Sequence, residues 1–140
     1  MVPVVDVNYI AVLVAAIVSM IIGALWFSPV LFGKMWMQLS GMTDKKLQEA
    51  KKKGIGKSYI IMFVATLVMG YVLAHAVQYT QAKTIMEGMQ AGFWMWLGCI
   101  ATVMVGMVLW DKKPVKLYLL LVAHYLVSLL VMGAILAVWS

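Results

Sequence analysis

Arginine is absent from this 140-residue chain, cysteine occurs once, and only five residues are acidic. Each scarcity removes a class of function. A dedicated nucleic-acid surface uses guanidinium forks for phosphates and base edges, so the net charge of +6 does not imply a nucleic-acid partner. The lone cysteine, Cys99, can form neither an intrachain disulfide nor a cysteine-based metal cluster. Asp6, Glu87 and Asp111 flank the apolar stretches and Asp44 and Glu49 lie in a connection, which leaves no deep carboxylate for a proton-driven exporter with a central acid. Neither G-x-S-x-G, H-E-x-x-H, a glycine-rich phosphate loop nor a Cys/His zinc spacing occurs, and Ser28 and Ser58 have no histidine at their level. The expectation is a protein that is not an enzyme and uses no cofactor or metal.

What the chain does contain is four stretches without a charged side chain: Val7 to Gly33, Ser58 to Ala82, Gly88 to Trp110 and Leu117 to Ser140. About 20 apolar residues suffice to cross a bilayer core as helix, so each is long enough. With 65% hydrophobic and 11% charged residues, the chain has too little polar surface to cover a water-soluble globule, and lipid must cover it instead. The expected fold is all-α: a four-transmembrane-helix bundle, one domain over 1–140, with spans at about 7–28, 58–81, 88–110 and 115–139. A cleaved signal peptide is not expected, since the first stretch lacks a basic leader and no A-x-A-like site follows it.

Seven lysines lie between Lys34 and Lys57, three between Lys112 and Lys116, and only Lys83 elsewhere. The positive-inside rule then places the first and third connections in the cytoplasm and both termini outside, in a prokaryotic inner or plasma membrane. Trp26, Trp36, Tyr59, Trp110 and Tyr118 near one boundary, with Tyr9, Tyr79 and Trp139 near the other, suit aromatic belts.

The long first connection predicts two short helices. Ser28-Pro29 reads as a helix start, with Phe32, Met35, Trp36 and Leu39 giving an interfacial helix that stops at Gly41. Thr43-Asp44 then caps a wet, basic helix that ends at Gly54. Lys45, Lys46, Lys51, Lys52, Lys53 and Lys57 are candidate contacts for anionic lipid headgroups; the alternative is that they only enforce orientation.

Small residues recur at helical spacing, and in lipid such stripes mark close helix contacts. They are Ala11, Ala15, Ser19 and Gly23 in the first stretch, and Gly88, Gly92, Gly98, Thr102 and Gly106 in the third. Gly70 with Ala74 and Gly133 with Ala137 supply more. This is more small surface than four short helices use within one monomer, so either the bundle is unusually tight or some stripes face a second copy; a homo-oligomer is the expectation. The thirteen methionines are scattered and read as pliable packing rather than as a copper site.

Polar groups inside a membrane are default candidates for function. Tyr71, His75 and Gln78 share a helix face, and Asn8, Glu87 and Gln90 begin neighbouring spans at similar depth, so the six could line an outer polar pocket or simply tie helix ends together. At mid-membrane, His124 and Ser128 are one turn apart and could face Ser19, Cys99 or Thr102. His75 and His124 differ in depth by roughly 14 Å, too far to share a metal ion.

The run Asn8-Tyr-Ile-Ala-Val-Leu-Val-Ala-Ala, followed by Gly23-Ala-Leu-Trp-Phe-Ser-Pro-Val-Leu-Phe-Gly-Lys34-Met-Trp36, resembles the signature of a bacterial and archaeal membrane family of unknown function. Tyr71-Val-Leu-Ala-His75, the Leu97-Gly98 region and Val127 to Trp139 are similar too, so the resemblance covers nearly the whole chain. It implies a four-helix integral membrane protein of this length and carries over no activity or site. The expected function is a non-enzymatic structural or accessory membrane component forming a homo-oligomer; the alternatives are a small-solute or ion transporter or channel with an outer polar pocket, and an anionic-lipid-binding protein.

Overall fold

The computed structural model describes residues 4–139, and among them the chain is 79% helical with no strand. Ser140, the expected end of the fourth stretch, lies outside the described residues. Four helices are long and apolar enough to cross a membrane: α1 (Tyr9–Trp26), α4 (Ile55–Tyr79), a third span over Ile85–Leu109, and α8 (Val115–Val138). Between the first two lie α2 (Gly33–Ser40) and α3 (Asp44–Lys52). The third span is not one regular helix. It consists of α5 (Ile85–Trp96), a π-turn at Leu97–Ala101, and the short pieces α6 (Thr102–Met104) and α7 (Gly106–Leu109).

Local chemistry sets most of the helix ends. Thr43 and Thr84 accept hydrogen bonds from Lys46 N and Glu87 N, each at 3.2 Å, and so satisfy amides that the first helical turn leaves free. Gly41 stops α2 at φ 75° and Gly54 separates α3 from α4 at φ 99°, both in the left-handed region that glycine occupies without strain. The expected start at Ser28-Pro29 is corrected. Ser28 Oγ donates back to Leu25 O at 2.7 Å and so caps nothing ahead of it. Phe32 N reaches Trp26 O (3.0 Å) and Gly33 N reaches Ser28 O (2.8 Å), which folds residues 27–32 into a tight return. A Cβ on Gly33 would run into the backbone of Phe27 and Ser28, so α2 begins only at that glycine.

α8 is the central helix. It touches α1, α4 and α5, and 44% of its most apolar window is buried against 11% for the third span. At the end that holds the turn between α4 and α5, backbones meet almost directly. A Cβ on Gly88 would run into Gly133 O, and one on Gly92 into Leu129 O. Ala11, Ala15, Leu73, Val77 and Met132 are each at most 1% exposed in the same half. Gly70 of α4 lies against Val12 and Met132. Most of the small-residue stripes are therefore filled within one chain, the tight-bundle alternative. Gly98 meets nothing within 4 Å and Gly106 only its own Trp110, so this stretch of the third span stays open.

Candidate functional site

Antiparallel packing of α1 on α8 brings together two pairs of residues one helical turn apart. Ser19 and Ser128 share a hydrogen bond of 2.8 Å, both buried. One turn further towards the lysine-rich end, Gly23 lies beside His124; a Cβ there would be 3.2 Å from the imidazole Nε2, tight enough that the ring would have to shift by a few tenths of an ångström. Glycine at 23 is what lets the ring lie against α1. Trp26 and Phe27, three and four residues on, cover it with ring centroids at 6.1 and 5.1 Å, and Tyr125 approaches to 4.9 Å.

His124 is 7% exposed, and neither ring nitrogen has a hydrogen-bond partner among the described residues; the buried Trp26 Nε1 is in the same position. Buried polar groups are normally paired, and one left unpaired costs about 1–3 kcal/mol. His124 lines a cavity of about 390 Å³ whose other walls include Ser19, Met20, Gly23 and Phe27 of the first span region and Tyr59, Met62 and Thr66 of α4. The Thr66 hydroxyl donates to Met62 O at 2.7 Å and the two serines are bonded to each other, so the imidazole is the buried unpaired polar group of a mostly apolar wall that also carries the phenols of Tyr59 and Tyr125. A second cavity of about 480 Å³ shares Phe27 and Tyr59 with the first. It is bounded by the 27–33 return, α2, α3 and the start of α4, with Lys34 and Lys51 among its lining. Both volumes fall in the range of small-molecule sites, about 300–1,000 Å³. No carboxylate lines this cavity, and beside the imidazole it carries the phenols of Tyr59 and Tyr125, so its wall offers hydrogen-bonding groups to a molecule held there.

The remaining expected residues lie elsewhere. Cys99 and Thr102 do not face His124: both are exposed on the third span, where Thr102 Oγ1 donates to Gly98 O (2.8 Å) and Cys99 borders a shallow apolar groove with Met69, Leu73 and Leu129. The set Asn8, Tyr71, His75, Gln78, Glu87 and Gln90 does not converge. Asn8 accepts from Ala11 N and donates to Trp139 O (2.7 Å), and Gln78 donates to Asp6 O (2.7 Å), tying helix ends together. His75 donates through Nδ1 to Tyr71 O (2.9 Å) within a ladder of rings formed with Tyr71 and Tyr79. Glu87 accepts from Thr84 Oγ1, and Gln90 is exposed. A wide depression of about 710 Å³ does lie at this end, lined by Asp6, Gln78, Gln81, Ala82 and Lys83; Gln78 alone of the six reaches it. Lys45, Lys46, Lys51, Lys52, Lys53 and Lys57 are all exposed, and Lys51 borders the second cavity. Among the described residues no three His, Cys, Asp or Glu side chains converge as a metal site.

Residues 10–137 match the family described as "Protein of unknown function (DUF1761)". The chain belongs to DUF1761. Neither a curated protein nor a solved structure matches it. In this DUF1761 chain the stretch from Gly23 to Trp36 builds much of the site: Gly23 seats the histidine, Trp26 and Phe27 cover it, Gly33 closes the return, and Trp36 packs on Phe27 at 5.8 Å. Trp26, Phe27, Tyr59, Thr66 and Lys34 are the site residues that pattern reading passes over. The spacing of Gly23, Trp26 and Phe27 at i, i+3 and i+4 was the available signal for the first two.

Proposed function

We propose that this protein is a non-enzymatic membrane component that binds a membrane-soluble molecule in the cavity beside His124. One observation carries the reading: a histidine buried within the span, with both nitrogens unpaired, on the wall of an apolar space of about 390 Å³. A ligand with one hydrogen-bonding group and an apolar body answers both features. The packed half above Ser19 and Ser128 favours holding over passage, since Leu73, Val77 and Met132 fill the bundle there. The distribution of lysines supports placing the 27–57 connection in the cytoplasm.

The test pairs binding with conduction. Purified protein in detergent should melt several degrees higher when membrane lipid extract is added, and Ala24→Phe, which fills the cavity from α1, should remove that gain. Proteoliposomes should be as tight to protons and small cations as empty vesicles. A leak that Ala24→Phe blocks would favour the transporter instead.

Self-association is a second reading, supported by the open face at Gly98, Thr102 and Gly106. Cys99 sits on that stretch and is exposed, so thiol cross-linking of membranes should give a covalent dimer through it. A chain that stays monomeric at high lipid-to-protein and low lipid-to-protein ratios alike would remove this reading.

A further inference from the structure

We infer that the two neighbouring cavities together hold one anionic glycerophospholipid, taken from the leaflet at the lysine-rich end; this rests on the binding function proposed above and names its ligand. The cavity beside His124 is mostly apolar and uncharged, with the unpaired imidazole and the Tyr59 and Tyr125 phenols on its wall, whereas its neighbour carries two ammonium groups, Lys34 and Lys51, both exposed. Phe27 and Tyr59 line both, so the two spaces are neighbours and one extended molecule that occupies both lies against these two rings. The order of chemistry across the two spaces is cationic, aromatic, then mostly apolar with a buried unpaired imidazole.

A glycerophospholipid presents the complementary order: a phosphate, ester carbonyls, then hydrocarbon. The phosphate lies between the lysines, a carbonyl oxygen accepts from an imidazole N–H, and an acyl chain covers Met62 and Met69. A zwitterionic lipid presents the same phosphate, but its own ammonium group competes with Lys34 and Lys51 for it, so the net attraction is weaker. Free phosphate leaves the apolar chamber unfilled, and a fatty acid has no second acceptor below its charged head. Each part of the ligand thus answers a separate feature of the wall.

The experiment uses the full chain in detergent with phosphatidylglycerol carrying a diazirine midway along one acyl chain, against phosphatidylcholine with the same chain. The cross-linked residue is located by peptide mass spectrometry. Phosphatidylglycerol should label the segment from Met62 to Met69 about tenfold more than phosphatidylcholine does. Lys34→Gln with Lys51→Gln should bring the two lipids to near equality. Lys45→Gln with Lys52→Gln, which removes as much charge from residues outside the cavity, should leave the preference intact. Millimolar inorganic phosphate should not compete.

Equal labelling of that segment by both lipids in the unaltered protein would overturn the lipid assignment while leaving the binding function standing. Labelling there no greater than at lipid-facing Val103 would overturn both. Equal loss of preference in the two lysine pairs would reduce the effect to general surface charge, and competition by phosphate would make the site one for the free anion; either overturns the inference.

Discussion

The half of the bundle holding the α4–α5 turn and the half holding the lysines are built from equally apolar helices, yet one is closed and the other is not. In the closed half, the glycines at 88, 92 and 133 bring α5 and α8 into backbone contact, and the chain passes from α4 to α5 through five residues, 80–84. In the open half, the third span widens at Leu97–Ala101, α4 is exposed from Gly56 to Met62, and bulky rings stand where small residues stood above. Hydrophobicity is therefore not what closes a bundle in lipid. Small residues placed opposite one another do, because only they let dispersion contacts exceed those the lipid already offers. Where Trp26, Phe27 and Tyr59 take over, the helices stand apart and a chamber is left.

The strongest way to break this contrast is to place the same bulk in each half. Gly92→Leu should destabilise by about 3 kcal/mol or prevent folding, because its side chain must enter the Leu129 backbone. Gly98→Leu meets open space and should change stability by less than about 0.5 kcal/mol. Unfolding in mixed micelles measures both, and equal effects would mean that the two halves do not differ in packing. A smaller effect of opposite sign is expected at the chamber wall. His124→Phe keeps a ring but removes two unpaired nitrogens, so the ligand-free protein should gain about 1 kcal/mol, unlike a substitution that opens a packed core. Loss of stability instead would show that the nitrogens are paired. The smallest effect belongs to the boundary between the halves. Ser19→Ala removes the bond to Ser128 and should cost about 0.6 kcal/mol, the average for hydrogen bonds between helices in a membrane. A cost several times larger would make that pair a structural clasp rather than the edge of the chamber.

The spans and most helix ends were legible because charge, Thr43, Gly41 and Gly54 act locally. The contact between Ser19 and Ser128 was within reach too, since both lie on polar or small-residue positions at matching depth. Which way Cys99 and Thr102 point was not. A helix apolar around its whole circumference carries no pattern that fixes its rotation, so the third span could turn them towards His124 or away without altering its hydropathy. The glycines at 88 and 92 decide the matter by locking α5 to α8. The 27–32 return was misread for a different reason: Ser28 had two carriers for its hydroxyl, the amides ahead and the Leu25 carbonyl behind, and sequence does not rank them. The outer cluster had two readings, a shared pocket or ties between helix ends, and Asn8 and Gln78 make such ties, to Trp139 O and Asp6 O, which composition does not foretell.

The wide turn at Leu97–Ala101 sets how this chain tolerates changes of length. A π-turn holds one residue more than the α-helical turn it replaces, so the two arms of the third span sit as they would in a regular helix one residue shorter. Deleting a residue within 97–101 would thus leave Gly88, Gly92 and Trp96 docked on α8 and keep the heading of Thr102 to Leu109. The same deletion in α5 would swing every following side chain by about 100° and pull the glycines off their partners. Thr102 already closes one of the loosened carbonyls through Gly98 O, and Tyr118 reaches Ala101 O, so the surplus residue is stitched in place. The third span therefore carries a built-in insertion point, and relatives with one residue fewer there would retain the same bundle.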